Sequence, residues 1–274
     1  MKRLVNIQPG KGWRSIMGLL PFILVLITYL FASNARLAVN PNDKLLPSFG
    51  SFGEAIERIA IKEDRRTGKV LLWSDTKASL QRLGMGIGIS ALIGLLFGIL
   101  NGLIPVIRAN LSPFISVLSM IPPLAILPIL FIVFGLGELS KVVLIVFGIA
   151  PFVMRELQQR VQEIPKEQLI KAQTLDASTW QIMIRIILPQ ILPRLIDALR
   201  LSLGAAWLFL IAAEAIAATD GLGYRIFLVR RYLAMDVILP YVAWITFLAF
   251  LMDYGLRALS RFAFPWFEKE TSGS

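Results

Sequence analysis

Apolar residues in this chain gather into long runs, and charged residues gather between them. A helix needs about 20 apolar residues to cross a bilayer. Six segments are read as spans: residues 16–32, 83–106, 111–136, 142–154, 201–218 and 237–256. The fourth is short, and Leu139 and a snorkelling Lys141 are expected to extend it. Between the first two spans, residues 33–82 form a polar stretch. It holds a turn-rich piece, Asn40-Pro-Asn-Asp43, and two expected surface helices, 52–61 and 71–80. A second polar stretch, residues 155–193, interrupts the later spans. Keeping it out of lipid implies that another protein docks there.

Glycine and proline shape the spans. Gly84 and Gly88 are four apart, as are Gly94, Gly98 and Gly102, a spacing that lets helix backbones approach closely. The third span carries Pro113, Pro122, Pro123 and Pro128. Prolines remove helical hydrogen bonds and kink the chain, so the freed carbonyls must face protein or a cavity. A short turn with Arg108 and Asn110 is expected between the second and third spans.

Composition agrees: 56% of residues are hydrophobic, and mean hydropathy is +0.70. Cysteine and histidine are both absent, which excludes disulfides, thiolate nucleophiles, histidine bases and most zinc or haem sites. The net charge of +10 fits basic cytoplasmic ends and anionic membrane lipid better than nucleic acid. Lys2, Arg3, Lys11 and Arg14 place the N-terminus in the cytoplasm, and six spans return the C-terminus, with Arg257, Arg261 and Lys269, to the same side. The first span is read as a retained helix rather than a cleaved signal, and residues 271–274 as a tail. Two loops break the charge rule: residues 33–82 hold nine Lys/Arg, and the loop after the fifth span holds Arg225, Arg230 and Arg231. No internal repeat is visible, which disfavours inverted-repeat transporters.

The polar insert reads as a helix–turn–helix. Glu163-Ile-Pro165 starts a helix with an apolar stripe of Leu169, Ile170, Ala172 and Leu175. Asp176-Ala-Ser178 breaks it, and Asp176 or Ser178 caps a second helix, 179–188. Pro189 and Pro193 are expected to end that helix and turn the chain into the fifth span. Such a hairpin offers a compact knob to a partner's groove.

The spacing Ile170-Lys171-Ala172, Asp176, Ile186-x-Leu188-Pro189 resembles the EAA loop of ABC-importer permeases. That pattern runs Glu-Ala-Ala, three residues, Gly, nine residues, Ile-x-Leu-Pro. The spacing matches throughout; the glutamate, first alanine and glycine do not. Aspartate suits the glycine position because it tolerates left-handed backbone better than most residues. Three further stretches resemble the nitrate/sulfonate/taurine/bicarbonate branch of these permeases. They are Ile121-Pro-Pro-Leu-Ala-Ile-Leu-Pro128, Phe134-Gly-Leu-Gly-Glu-Leu-Ser-Lys141 and Ala212-Ala-Glu-Ala-Ile-Ala-Ala-Thr-Asp-Gly-Leu-Gly-Tyr224. The likeness extends over residues 75–265, and a narrower one points to permeases associated with guanidine and urea-carboxylase metabolism.

The resemblance implies an all-α membrane protein with six transmembrane helices, the type I (MetI-like) importer fold, in a bacterial inner membrane. Residues 1–82 would hold the N-terminal end, first span and extracytoplasmic segment, 83–265 the permease core with its coupling loop at 155–193, and 266–274 the tail. It implies two permease copies, two ATPase subunits that carry ATP and magnesium, and an extracytoplasmic substrate-binding protein. The chain itself would need no cofactor, and it lacks a Gly-x-x-x-x-Gly-Lys-Ser/Thr phosphate loop. Contact with the ATPase would fall to Ile170, Lys171, Ala172, Gln173, Leu175, Asp176, Ala177, Ser178, Trp180, Ile186, Leu188 and Pro189. Trp180 and Trp73 also suit a membrane interface.

Candidate pathway residues are Pro122, Pro123 and Pro128 as a kinked gate, with Met120, Trp207 and Glu214. Met120 and Trp207 equally suit packing. Two readings of Glu214 stay open, a gate residue or a structural ion pair. Asp197 and Arg200 are spaced to pair on one helix face, and Asp253 is expected at the interface. A stand-alone transporter or channel would need ion-coupling residues that the spans lack, and an enzyme would need paired acids, His or Cys.

Overall fold

The computed structural model describes residues 10–40, 43–64 and 68–267. The expectations for Lys2, Arg3, Lys269, the centre of the turn-rich piece and the tail lie outside the described residues. Eleven α-helices order these residues: α1 Lys11–Val39, α2 Phe49–Ala60, α3 Leu71–Leu103, α4 Pro105–Leu118, α5 Leu127–Phe134, α6 Glu138–Gln162, α7 Lys166–Thr174, α8 Thr179–Ile182, α9 Leu188–Ala217, α10 Leu222–Arg230 and α11 Met235–Ala263. The fold is helical throughout the described residues, as the apolar periodicity predicts.

Four helical stretches are long and apolar enough to cross a membrane: 12–39, 71–103, 179–217 and 235–263. The third expected span is broken. Its two pieces, 105–118 and 123–134, meet at 80°. Pro122 stands extended at the break, and Pro123 opens a short 3-10 turn that leads into α5. Pro122 and Pro123 have no N–H to continue α4, so the break falls where the sequence puts it.

The fourth expected span is α6, of 25 residues and so about 37 Å long. It is too polar to pass as a lipid-exposed span. It succeeds because it is the central helix of the bundle: Val142, Leu144, Ile145, Ile149, Val153, Leu157 and Val161 are all buried. Its partner α3 lies parallel to it in one constant register. A Cβ on Gly86 would fall 2.6 Å from Ile145, on Gly94 2.4 Å from Val153, on Gly98 2.7 Å from Leu157 and on Gly102 2.4 Å from Val161. Only glycine permits this approach. The Gly94/Gly98/Gly102 series therefore does what its spacing predicts. Gly84 and Gly88 differ: they face open space, and Gly86 takes the packing role at that level.

Three expectations are corrected. Residues 71–80 are not a separate surface helix but the first turns of α3, because no breaker separates them from the span. Arg108 and Asn110 do not form the turn after α3; Ile104 does, and Pro105 starts α4 at once. Arg108 instead donates from its guanidinium to the Asn101 and Gly102 carbonyls, closing the end of α3. Finally, Pro189 and Pro193 do not end the helix after the hairpin turn. One helical stretch runs from Thr179 to Ala217. A π-helical turn, Met183–Ile187, precedes Pro189, and the Leu188 N–H donates to the Met183 carbonyl. Widening the helix there accommodates a proline ring that would otherwise clash one turn back.

The remaining elements close the bundle. α9 packs on α6, α3, α10 and α11, and α2 packs on α11 and α3. The central part of α1 stands clear of the bundle, with its apolar side chains exposed. Its C-terminal end is tied to the following segment: the Tyr29 hydroxyl donates to the Pro47 carbonyl at 2.7 Å, and the Ser33 hydroxyl to the Leu46 carbonyl at 3.0 Å. The carboxyl of Asp43 is held below its ordinary range by the Leu45 N–H and by its partner Arg36.

Candidate functional site

The hairpin closes one end of the bundle. α7 ends in a Schellman motif: the Ala177 N–H reaches the Ala172 carbonyl at 3.1 Å, and the Asp176 N–H reaches Gln173 at 3.0 Å. Asp176 takes φ +59°, the left-handed geometry expected of the residue standing in place of glycine. The motif also brings Ala172, which is buried, against the half-buried Ala177, which explains small residues at both positions. Ser178 then caps the next helix in a capping box. The Gln181 N–H donates to Ser178 Oγ at 3.3 Å, and the Ser178 N–H donates to Gln181 Oε1 at 2.8 Å. The amide of Gln190 donates to Gln168 Oε1 at 3.2 Å and to the Ile186 carbonyl at 2.8 Å, bracing the two arms.

The expected apolar stripe on α7 divides. Ala172 and Leu169 turn inward, while Ile170 and Leu175 turn out, 57% and 76% exposed. Trp180 joins them on the surface at 66%. Lys171 and Gln173 are also exposed, and Ile186, Leu188 and Pro189 are half-buried at the hairpin's root. The knob thus presents three large apolar side chains on a rigid double-capped turn. Burying one such side chain is worth about 1.5–3 kcal/mol, so the surface is built to be covered.

The candidate pathway residues do not come together. Met120, Pro122 and Pro128 lie exposed along the broken span, and Pro123 is half-buried. Trp207 lies in the bundle core on α9, 4% exposed. Glu214 is fully buried at the end of the bundle away from the hairpin, inside an ion cluster that the sequence does not reveal. The Arg82 guanidinium donates to Glu214 Oε1 at 2.8 Å, to the Asp220 carbonyl at 3.0 Å, and to the carboxylates of Glu138 and Asp220. Lys141 reaches Glu138 at 2.8 Å. Alongside lies a second cluster, in which Arg225 and the Tyr241 hydroxyl both donate to Asp75, at 2.8 and 3.1 Å.

The segment Gly221-Leu222-Gly223 joins the two. Its three consecutive N–H groups, at the start of α10, donate to Asp75, Ser79 and Glu214 at 3.1, 2.8 and 2.8 Å. Gly221 has φ +113°, and a Cβ there would fall 2.5 Å from the Glu214 carboxyl. Glu214 therefore sits in an ion pair within the fold. Two cations of the loops that break the charge rule, Arg82 and Arg225, are neutralised internally by this pairing. Nearer the hairpin end, the expected Asp197–Arg200 pair forms at 3.3 Å, and Arg200 also reaches Asp253 at 2.8 Å.

A parallel glycine-packed helix pair, a proline-broken span and a capped hairpin between two spanning segments define the core of a membrane permease. Residues 90–268 match the family described as the binding-protein-dependent transport system inner membrane component, and the chain belongs to that family. It is a permease subunit of an ABC importer. Among its relatives, the taurine transport system permease protein TauC of Escherichia coli (strain K12) is 42% identical over 71% of each chain. The bicarbonate transport system permease protein CmpB of Synechococcus elongatus (strain ATCC 33912 / PCC 7942 / FACHB-805) is 32% identical over 70% of this chain and 69% of its own. The putative aliphatic sulfonates transport permease protein SsuC of Bacillus subtilis (strain 168) is 29% identical over 71% of each. The fold is similar to that of a chain in a structure of inward-facing conformations of the MetNI methionine ABC transporter, at TM-score 0.61 and 21% identity over 69% of this chain and 94% of that one. These relatives lend the guanidine resemblance no support.

Proposed function

We propose that this chain is the translocating subunit of a bacterial importer for a small oxyanion of the organosulfonate type. The exposed face of Ile170, Leu175 and Trp180 on a rigid turn carries the reading. It fits the groove of a separate ATPase. The hairpin end and both termini lie in the cytoplasm, and the end with the Arg82 cluster faces a substrate-binding protein. Two copies of the chain enclose one pathway, each engaging one ATPase, with the kinked prolines of the broken span beside it. ATP and magnesium act in the ATPases. Closure of those subunits draws the two hairpins together, and α6 and α9, which flank each hairpin, carry that movement into the bundle. Hydrolysis resets it. The taurine-transport relative, with 42% identity, supports a sulfonate as cargo.

Co-expression with the cognate ATPase tests this reading. Leu175→Asp combined with Ile170→Asp leaves the chain in the membrane but abolishes co-purification of the ATPase. Retention of the ATPase by this variant at wild-type stoichiometry contradicts the proposal.

A further inference from the structure

Arg155 is handled unlike the paired cations of the bundle, and unlike Arg108, which is spent on the carbonyls at the end of α3. Arg82, Lys141, Arg200 and Arg225 each hold a carboxylate. Arg155, on α6, is exposed, and its only hydrogen bond among the described residues runs from its guanidinium to Ser119 Oγ at 2.9 Å. Its depth follows from the α3–α6 register. Gly94 packs on Val153 and Gly98 on Leu157. Arg155 opens the polar stretch read at 155–193, yet this register sets it level with Leu96 and Phe97, apolar side chains exposed on α3 within the second expected span. An arginine at that depth is costly unless it faces a water-filled cavity or a partner. Its guanidinium turns toward the broken span and not toward the hairpin end. Ser119 is the residue just past α4, its hydroxyl donating to the Ser116 carbonyl at 2.8 Å, so its oxygen accepts from Arg155 and orients the fork. Met120, Ile121, Leu124 and Pro122 surround the break, all exposed. A guanidinium with one N–H anchored beside the break and several free ones matches the geometry of a planar or tetrahedral oxyanion.

We infer that Arg155, held by Ser119 at the break between α4 and α5, is an oxyanion contact in the translocation pathway that selects sulfonate, carboxylate or nitrate-type solutes. The inference rests on the oxyanion-importer reading above and deepens it by naming a residue. Arg155 attracts the passing anion without enclosing it, as a pathway requires: each copy of the chain offers one guanidinium, open to one side.

The test uses the whole transporter, with its ATPase and binding protein, in proteoliposomes given radiolabelled taurine. Arg155→Gln lowers uptake about ten- to hundredfold, the loss expected for a charge-assisted hydrogen bond. Arg155→Lys retains most uptake, and ATP hydrolysis stimulated by the loaded binding protein persists in both. Wild-type uptake by the Gln variant overturns the inference, as does equal loss in the Lys variant, which would mark a structural role. The chain contains no cysteine, so Arg155→Cys creates its only thiol. A negatively charged methanethiosulfonate labels it, and taurine delivered by the binding protein slows the labelling. A thiol inert to the reagent faces lipid and overturns the inference. If the wild-type complex imports only a cation or a neutral solute, the oxyanion reading falls and this inference with it. Taurine uptake by the wild type, unchanged by Arg155→Gln, overturns this inference alone.

Discussion

The two ends of the bundle spend their side chains in opposite ways. At the hairpin end, large apolar residues stand exposed on a turn that backbone caps hold rigid. At the far end, Arg82, Glu214 and Asp75 are buried and satisfied from several directions. Arg82 is 3% exposed and bonds Glu214, Glu138 and Asp220, while three backbone N–H groups of one turn donate to Asp75, Ser79 and Glu214. The contrast separates completeness from readiness. The far end fastens α3, α6, α9, α10 and α11 to one another through pairs made within the chain. The hairpin end leaves its interaction unmade within the chain, which is what a subunit driven by another protein requires.

Breaking the far end gives the largest effect. Arg82→Met strands the buried carboxylate of Glu214 and costs about 3–5 kcal/mol, the range for removing one partner of a buried pair. Thermal unfolding of the purified chain in detergent reports it. The double variant Arg82→Met, Glu214→Leu recovers part of the loss, because the stranded charge is gone.

The glycine seam gives the next effect. Gly94→Ala or Gly102→Ala pushes a Cβ into Val153 or Val161 and destabilises by about 1–3 kcal/mol. Gly84→Ala and Gly88→Ala, in open space, change the same melting curve by no more than about 0.5 kcal/mol. Equal losses at all four positions would dissolve the distinction between packed and unpacked glycines.

At the hairpin, changes to the turn are milder. Asp176→Ala raises the left-handed cost by about 1–2 kcal/mol, whereas Asp176→Gly removes it. Ser178→Ala loses a cap worth about 1 kcal/mol. Hydrogen exchange across residues 172–182 measures both, because these losses stay local.

The sequence makes the hairpin end far more legible than the far end, for a physical reason. Hairpin interactions are short-range: Ala172 to Ala177, Ser178 to Gln181 and a left-handed Asp176 all lie within ten residues and follow from residue type. The far-end pairs join residues distant in the chain, Arg82 with Glu214 and Asp75 with Arg225, and no local pattern couples them. A signal was present nonetheless. Arginines on the side where positive charge is disfavoured, beside a lone acid within a span, mark cations and anions that need each other. The helix limits that failed did so by context. Proline at 189 ordinarily stops a helix, but a π-turn absorbed it. Residues 71–80 carried enough charge to suggest a surface helix, yet Asp75 and Ser79 are buried because they serve the turn at 221–223.

The central claim is that the exposed knob meets a nucleotide-hydrolysing partner. With no native cysteine in the chain, Leu175→Cys can be labelled at one place with a photoreactive maleimide in membranes holding the assembled transporter. The account predicts a crosslink to a chain bearing an ATPase phosphate loop, strengthened when nucleotide is added. Crosslinking to lipid, or to a protein on the opposite side of the membrane, contradicts it.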